Sequence, residues 1–312
     1  MLTEGVSFYS EGAKVSALWR TPAPVDGPLR AIVHSPGWRG WKDSDLYLRY
    51  HRALTGAGFG VLVLDYRGTG GSEGAPILSI RRQFQDLLNA VTYLTTRPDV
   101  DTDAIAALGS GGTGGSNAVL LAAVDERVSC AVSQLPLATG PDWLHRMRSE
   151  SDWLDFLDQL DVDRRERVVT GRERTVEVGT EVMVPPPEKR SPGLAAPSSQ
   201  VPTKIPASSV EELVGFDPLG SIAGLGKPVL LVAVERDSLT PMNEVLRLYE
   251  AACGPREVIV QRHTSHYNAH DRYGEVISER MVGWFEAYAG RRKVTITTDL
   301  KEALTTEWIS GA

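Results

Sequence analysis

The chain reads as an α/β protein built on a mostly parallel sheet with helices on both faces. Three observations predict this. Short β-branched apolar runs alternate with longer stretches of helical spacing over most of the 312 residues. Two of those runs end in glycine-rich strings that lead straight into helical segments. Hydrophobic residues make up 42% of the chain and charged residues 23%, enough to bury a sizeable core. Apolar runs of four to seven residues, each followed by a helix and another run, are what a parallel sheet covered on both faces requires.

Taken in order, residues 6–9 and 15–20 read as a hairpin. Residues 31–34 form a strand, 46–57 an amphipathic helix, and 60–65 (GVLVLD) a buried strand. Residues 80–94 read as a helix, 104–108 as a strand, 115–124 as a short helix and 130–135 as a strand. The alternation resumes with a strand at 228–234, a helix at 243–252, a strand at 258–261 and a helix at 268–289. Between about 137 and 225 the pattern breaks. There Trp143, Met147, Trp153, Phe156 and Leu160 fall near helical spacing along a single helical stretch. The stretch 184–209, rich in Pro and Ser, is either a lid or a floppy insertion. The predicted organisation is a core of residues 1–136 and 226–290, an inserted segment at 137–225, and an extension at 291–312 that can add a strand and helix or pack against a second copy.

Composition excludes several classes. A net charge of −7 leaves no basic excess to neutralise phosphates, which argues against nucleic-acid binding. Cys130 and Cys253 match no CxxC or Cys/His pattern, and both positions suit small buried hydrophobes. No His, Asp and Glu cluster has ligand spacing, so neither a metal nor another cofactor is expected. The N-terminus lacks a signal-peptide pattern and no run approaches 18 apolar residues, so the expectation is a cytoplasmic protein without a membrane partner.

The chemistry lies in four places. The string Asp65-Tyr66-Arg67-Gly68-Thr69-Gly70-Gly71-Ser72-Glu73-Gly74 follows a buried strand, and Asp65 and Arg67 are expected to hold one another across it. The string Leu108-Gly109-Ser110-Gly111-Gly112-Thr113-Gly114-Gly115-Ser116 runs from a strand into a helix. Asp237 stands just past the strand PVLLVAV, and His266 follows the next one, with His263 and His270 as neighbours. Finally, Pro36-Gly37-Trp38 follows the strand Ala31–His34. His34 reads as a structural strand-end residue.

Together these strings resemble the α/β-hydrolase superfamily, and within it the esterase- or peptidase-like enzymes with a helical cap. The likeness covers about residues 5–290 and implies an α/β-hydrolase fold with a cap at 137–225. Such proteins carry G-x-S-x-G on a sharp strand-to-helix turn, followed in chain order by an acid and a histidine. The resemblance makes Asp237 the acid and His266 the histidine. It makes the backbone N–H groups of Trp38 and Gly112 the oxyanion donors. At the turn itself the chain departs from the pattern. Gly109 matches the first glycine, Gly111 occupies the nucleophile position, and Thr113 replaces the last glycine. Strand alternation turns Ser110 away from the site. Thr113 or Ser116 fits the nucleophile spacing only if the turn shifts by two or five residues.

The leading expectation is a hydrolase-fold enzyme that forms no acyl-enzyme. His266, oriented by Asp237, would act as general base on water or on a substrate proton. Ester or C–C hydrolysis, or a cyclisation or elimination driven by proton transfer, fits this arrangement. Trp143, Met147 and Trp153 would contact a small or medium apolar carbonyl substrate, unless they belong to a core. Two alternatives share the fold: an ordinary serine hydrolase carrying a serine-to-glycine substitution at residue 111, and a non-catalytic ligand-binding homologue. A third is of another class, because Gly109-x-Gly111-x-x-Gly114 also spells a dinucleotide fingerprint. The following strand lacks the acidic residue that reading wants, and several strands precede the string.

Overall fold

In the computed structural model, which describes residues 1–24, 27–183 and 200–290, the chain begins with a hairpin. Strands β1 (Leu2–Ser10) and β2 (Ala13–Thr21) pair antiparallel around Glu11 and Gly12, both at positive φ, as a tight hairpin turn requires. Then come β3 (Leu29–Ser35), α1 (Asp45–Gly56), β4 (Gly60–Leu64), α2 (Ile80–Thr95), β5 (Val100–Ser110), α3 (Gly112–Val124) and β6 (Val128–Gln134). After an insertion the alternation continues with β9 (Val229–Val234), α8 (Met242–Ala251), β10 (Arg256–Gln261) and α9 (Asn268–Tyr288).

One eight-stranded sheet has the order β1-β2-β4-β3-β5-β6-β9-β10. Every pairing from β4 to β10 is parallel, and only β2 runs against the rest, antiparallel to both β1 and β4. The strand period of two sorts side chains between two apolar layers. Val33, Leu62 and Ala107 pack under Leu87, Val91 and Leu94 of α2 and Ala118 and Leu121 of α3. Their neighbours Ile32, Val61 and Ala106 face the opposite way, onto Tyr50 and Leu54 of α1 and Ile277, Met281 and Phe285 of α9. With helices on both sides, β4 and β9 are buried at every residue, so their sequences show apolar runs rather than alternation.

The insertion supplies α4 (Gly140–Arg146), α5 (Glu150–Thr170), the two-stranded pair β7 (Thr175–Glu177) and β8 (Lys204–Pro206), α6 (Ala207–Val214) and α7 (Pro218–Ile222). Its apolar side chains share a cluster with Trp38, Leu78 and Ile80 of the sheet domain. The expected single helix through Trp143 and Leu160 is two. Arg146 ends the first, and Ser149 caps the second by accepting from Asp152 N. In α5, Arg164, Arg165 and Arg167 pair with Asp161, Glu173 and Glu211, while Arg174 beyond it pairs with Asp163 and Glu181. This basic stretch is therefore an internally neutralised face.

Three other expectations need correction. Asp65 and Arg67 do not pair with each other. Asp65 accepts from Lys42 N at 2.8 Å, Lys42 Nζ at 2.5 Å and Gly71 N at 2.9 Å. Arg67 instead binds Asp86 and Glu11, each at 2.5 Å. Partners distant in sequence satisfy each charge before the loop can close on itself. Cys130 is buried, with its thiol pushed up to about 12, but Cys253 is exposed. The helix after the glycine string starts at Gly112, three residues earlier than its composition suggests. The stretch 184–199 and the extension 291–312 lie outside the described residues. Among the described residues no helix is long and apolar enough to cross a membrane.

Candidate active site

A cavity of about 130 Å³ opens at the C-terminal ends of the parallel strands, where loops can carry chemistry on a rigid sheet. Its floor is the turn between β5 and α3. Gly111 caps α3 with φ 73° and ψ 159°, a conformation that strongly favours glycine. A Cβ built there would meet nothing nearer than Gly37 Cα, at 3.9 Å. The space above Gly111 is therefore open.

The hydroxyls on either side of Gly111 are unavailable or differently employed. Ser110, the last residue of β5, points beneath the turn, where Oγ meets His34 Nε2 at 3.0 Å and donates to Gln134 Oε1 at 2.8 Å. Ser116 is fully engaged inside α3, donating to Leu137 O at 2.7 Å and accepting from Leu137 N at 2.9 Å. Thr113 reaches the cavity from the first turn of α3, and its Oγ1 is buried without a partner. The glycines of the fingerprint-like string serve packing. A Cβ on Gly109 would collide with Gly114 O, and one on Gly114 with Pro36 O.

Facing the turn stands an imidazole–carboxylate pair. His266 follows β10, Asp237 follows β9, and His266 Nδ1 lies 2.7 Å from Asp237 Oδ2. Both side chains are buried. Asp237 also accepts from Leu239 N and Thr240 N at 2.8 Å and from Thr240 Oγ1 at 2.9 Å. Burial pushes its carboxyl up, but the charge and hydrogen bond of His266, with the Thr240 donors, hold it below the usual range. The carboxylate thus turns Nε2 of His266 away from itself. The neighbouring histidines are placed differently. His263 is exposed beside Glu235, while His270 lines the cavity, buried, with Nδ1 2.8 Å from Tyr50 Oη.

The opposite wall is the loop after β3. Trp38 is pinned twice, its indole donating to Leu78 O at 2.7 Å and its carbonyl accepting from Gln83 Nε2 at 2.9 Å. Gly37 sits close enough to the turn that an added Cβ would lie 3.2 Å from Ser110 O. Trp38 and Gly112 both line the cavity. From the insertion, Trp143 lines the cavity and meets Trp38 edge to face at 6.2 Å. Met147 and Trp153 lie elsewhere. Trp153 stacks between His145 and Phe156, and both residues belong to the apolar cluster behind the wall. Met183 lines the cavity in their stead, and no periodicity in the sequence marks it. Among the described residues no group of three His, Cys, Asp or Glu side chains could hold a metal.

The chain belongs to the α/β-hydrolase fold family, whose match spans residues 31–273. Two relatives and one solved structure give the measure of that kinship. The quorum-quenching protein AidA of Acinetobacter baumannii is 26% identical over 303 residues, covering 94% of this chain and 91% of that one. The acyltransferase drtE of Aspergillus calidoustus is 29% identical over 281 residues, covering 82% and 86% respectively. The structure of DcsB in complex with its substrate analogue superposes with a TM-score of 0.77 at 21% identity, covering 92% of this chain and 99% of that one. This last likeness is one of fold.

Proposed function

We propose that the protein is a hydrolase-fold enzyme acting on a small or medium apolar carbonyl compound, with His266 and Asp237 as its base and without an acyl-enzyme. One observation carries this reading: a buried His266–Asp237 pair borders a cavity whose floor, Gly111, has no side chain. Related folds place a hydroxyl there. Its absence leaves room for a water molecule or a substrate hydroxyl beside the imidazole.

In the hydrolytic version, His266 Nε2 takes a proton from water as its oxygen attacks the substrate carbonyl. The imidazolium is held by the Asp237 carboxylate. The developing oxyanion rests against the Trp38 and Gly112 N–H groups, and His266 returns the proton to the leaving oxygen. The same base could instead remove a proton from the substrate for a cyclisation or elimination. Trp143 and Met183, both from the insertion, give the cavity apolar wall, which supports reading residues 137–225 as a cap over the site.

The relative named an acyltransferase supports the choice of a carbonyl substrate. The test is turnover of p-nitrophenyl butanoate. His266→Ala is expected to lower kcat about 100-fold or more, and wild-type turnover should show no initial burst. An unchanged rate in the variant would defeat the base assignment. Labelling of the wild type by a fluorophosphonate would defeat the claim that no acyl-enzyme forms.

A further inference from the structure

The reaction above leaves one ring at the cavity unused. Tyr47 lies in the first turn of α1, lines the cavity and is only 4% exposed. Side chains in a helix lean toward its N-terminus, so this one reaches back over the loop that leads from β3 into α1. Its ring is fixed edge-on against His34, with centroids 4.5 Å apart. Its hydroxyl ends at the loop itself. A Cβ built on Gly40 would lie 2.6 Å from Tyr47 Oη and 2.9 Å from Gly37 N. The same Cβ would strike Pro36. Gly40 therefore serves both the tight loop, closed by Gly40 N donating to Gly37 O at 2.7 Å, and the approach of the hydroxyl.

A phenol hydroxyl both donates and accepts hydrogen bonds. The Gly37 N–H beside it can only donate. The nearby acceptors are engaged elsewhere. His34 meets His51 Nε2 and Ser110 Oγ with its two ring nitrogens, at 2.7 Å and 3.0 Å. Pro36 O accepts from Tyr66 Oη at 2.8 Å. Burial pushes the phenol up, so it keeps its proton at neutral pH. That proton is left for a ligand in the cavity.

We propose that Tyr47 is a catalytic residue, a third donor to the oxyanion beside the Trp38 and Gly112 N–H groups. Its place in the site supports this. Gly37 Cα lies 3.9 Å from the point where a side chain on residue 111 would begin, and Tyr47 Oη flanks the same Gly37. The hydroxyl thus stands at the side of the open floor, on the loop that carries Trp38. The bare floor also supplies a need for it. A nucleophilic side chain would tether the tetrahedral intermediate covalently. With Gly111 there, an intermediate formed by water is held by hydrogen bonds alone, so each oriented donor counts for more. Tyr47 exchanges no proton. The water oxygen bonds to the carbonyl carbon, His266 takes the water proton, and the carbonyl π pair moves onto the oxygen that Tyr47 faces. When the carbonyl reforms, that pair returns and the leaving oxygen takes the proton from His266. This assignment rests on the hydrolytic reading above.

Two measurements on the full-length protein test this with Tyr47→Phe, which keeps the ring against His34 and removes only the hydroxyl. In turnover of p-nitrophenyl butanoate, kcat should fall about 100-fold with KM little changed. An unchanged kcat, or a loss seen in KM alone, overturns the assignment. Binding is read by calorimetry with two probes that need no turnover. Methyl propylphosphonate is an anionic tetrahedral mimic of the attacked butanoate, and butanamide keeps the planar carbonyl. The variant should bind the phosphonate about tenfold or more weakly, and butanamide as the wild type does. Equal losses for the two probes, no loss for the phosphonate, or a wild type that binds the phosphonate no better than butanamide overturns the proposal. The two readings fail separately. A wild type that prefers the phosphonate through Tyr47, yet whose turnover survives His266→Ala, keeps the donor and loses the base. Turnover that needs His266 but not the Tyr47 hydroxyl does the reverse.

Discussion

Asp237 shows how much of the candidate chemistry is settled around a single side chain. A carboxylate with almost no solvent contact is costly unless donors surround it. Here two backbone N–H groups, the Thr240 hydroxyl and the His266 ring do so. The backbone donors close a turn of the kind Asp often makes, so a structural duty and an orienting one coincide in one group. The two separate in Asp237→Asn. The amide oxygen can still accept from Leu239 and Thr240, so the turn persists. The negative charge that supports an imidazolium is gone. Asp237→Asn is expected to lower kcat for p-nitrophenyl butanoate about 100-fold or more with KM changed little. A variant of normal kcat would show that the carboxylate serves the turn alone.

At the scale of elements, the junction of β5 and α3 decides what the site can do. Gly111 adopts φ 73° because the chain must reverse there from strand to helix, yet the nearest atom to an added Cβ is 3.9 Å away. Gly111→Ser should therefore fold, losing about 1–3 kcal/mol to backbone strain. Its new hydroxyl should make it reactive toward a fluorophosphonate while the parent is not. Thermal melting and mass spectrometry check the two halves. A stable variant that remains unlabelled would mean the His266 ring does not reach the turn. Much of this junction is legible in the chain. The strand period turns Ser110 away from Gly111, and Asp237 and His266 each fall just past a predictable strand. The start of α3 is not legible, because Gly112, Thr113, Gly114 and Gly115 have poor helix propensity. They are held helical by close approach to the Ser35–Pro36 backbone and to Gln134, contacts made across the sheet. The same limit hides the cavity wall. Trp143 and Trp153 have equivalent spacing, but one meets Trp38 and the other stacks on His145. Tyr50, His51 and His270 lie in unremarkable helical sequence and find their partners, His270 for Tyr50 and His34 for His51, only when α1 and α9 pack on one face of the sheet.

For the whole molecule, three buried histidines tie stability to pH. His34 and His270 are held neutral down to about 3, and His51 is also pulled well below its ordinary value. Burial is the main cause for all three, with Arg20 adding repulsion for His34 and His51. An unfolded histidine titrates near 6.5. Between about pH 6.5 and 3 the unfolded chain therefore binds protons that the native chain refuses. With more protons on the unfolded side, stability rises with pH in that window and falls on acidification. Above it the three groups are neutral in both states and contribute no slope. Each histidine approaches about 1.4 kcal/mol per pH unit once its unfolded form is protonated, so the three together should remove about 3.5 kcal/mol between pH 6 and pH 5. The carboxylates held low, Asp237, Asp125 and Asp142 among them, add the same sign of dependence only nearer pH 4, where unfolded carboxyls protonate. Urea unfolding at pH 7, 6 and 5 measures this. The informative quantity is the slope rather than the absolute stability, since His34→Gln with His51→Gln lowers stability at every pH by disturbing their contacts with Arg20 and Ser110. That double variant removes two of the three proton-refusing groups, so its loss between pH 6 and 5 should shrink to about a third of the wild-type value. A wild-type curve that is flat across this interval, or a double variant with an undiminished slope, would mean that the buried histidines are not held neutral in the native protein.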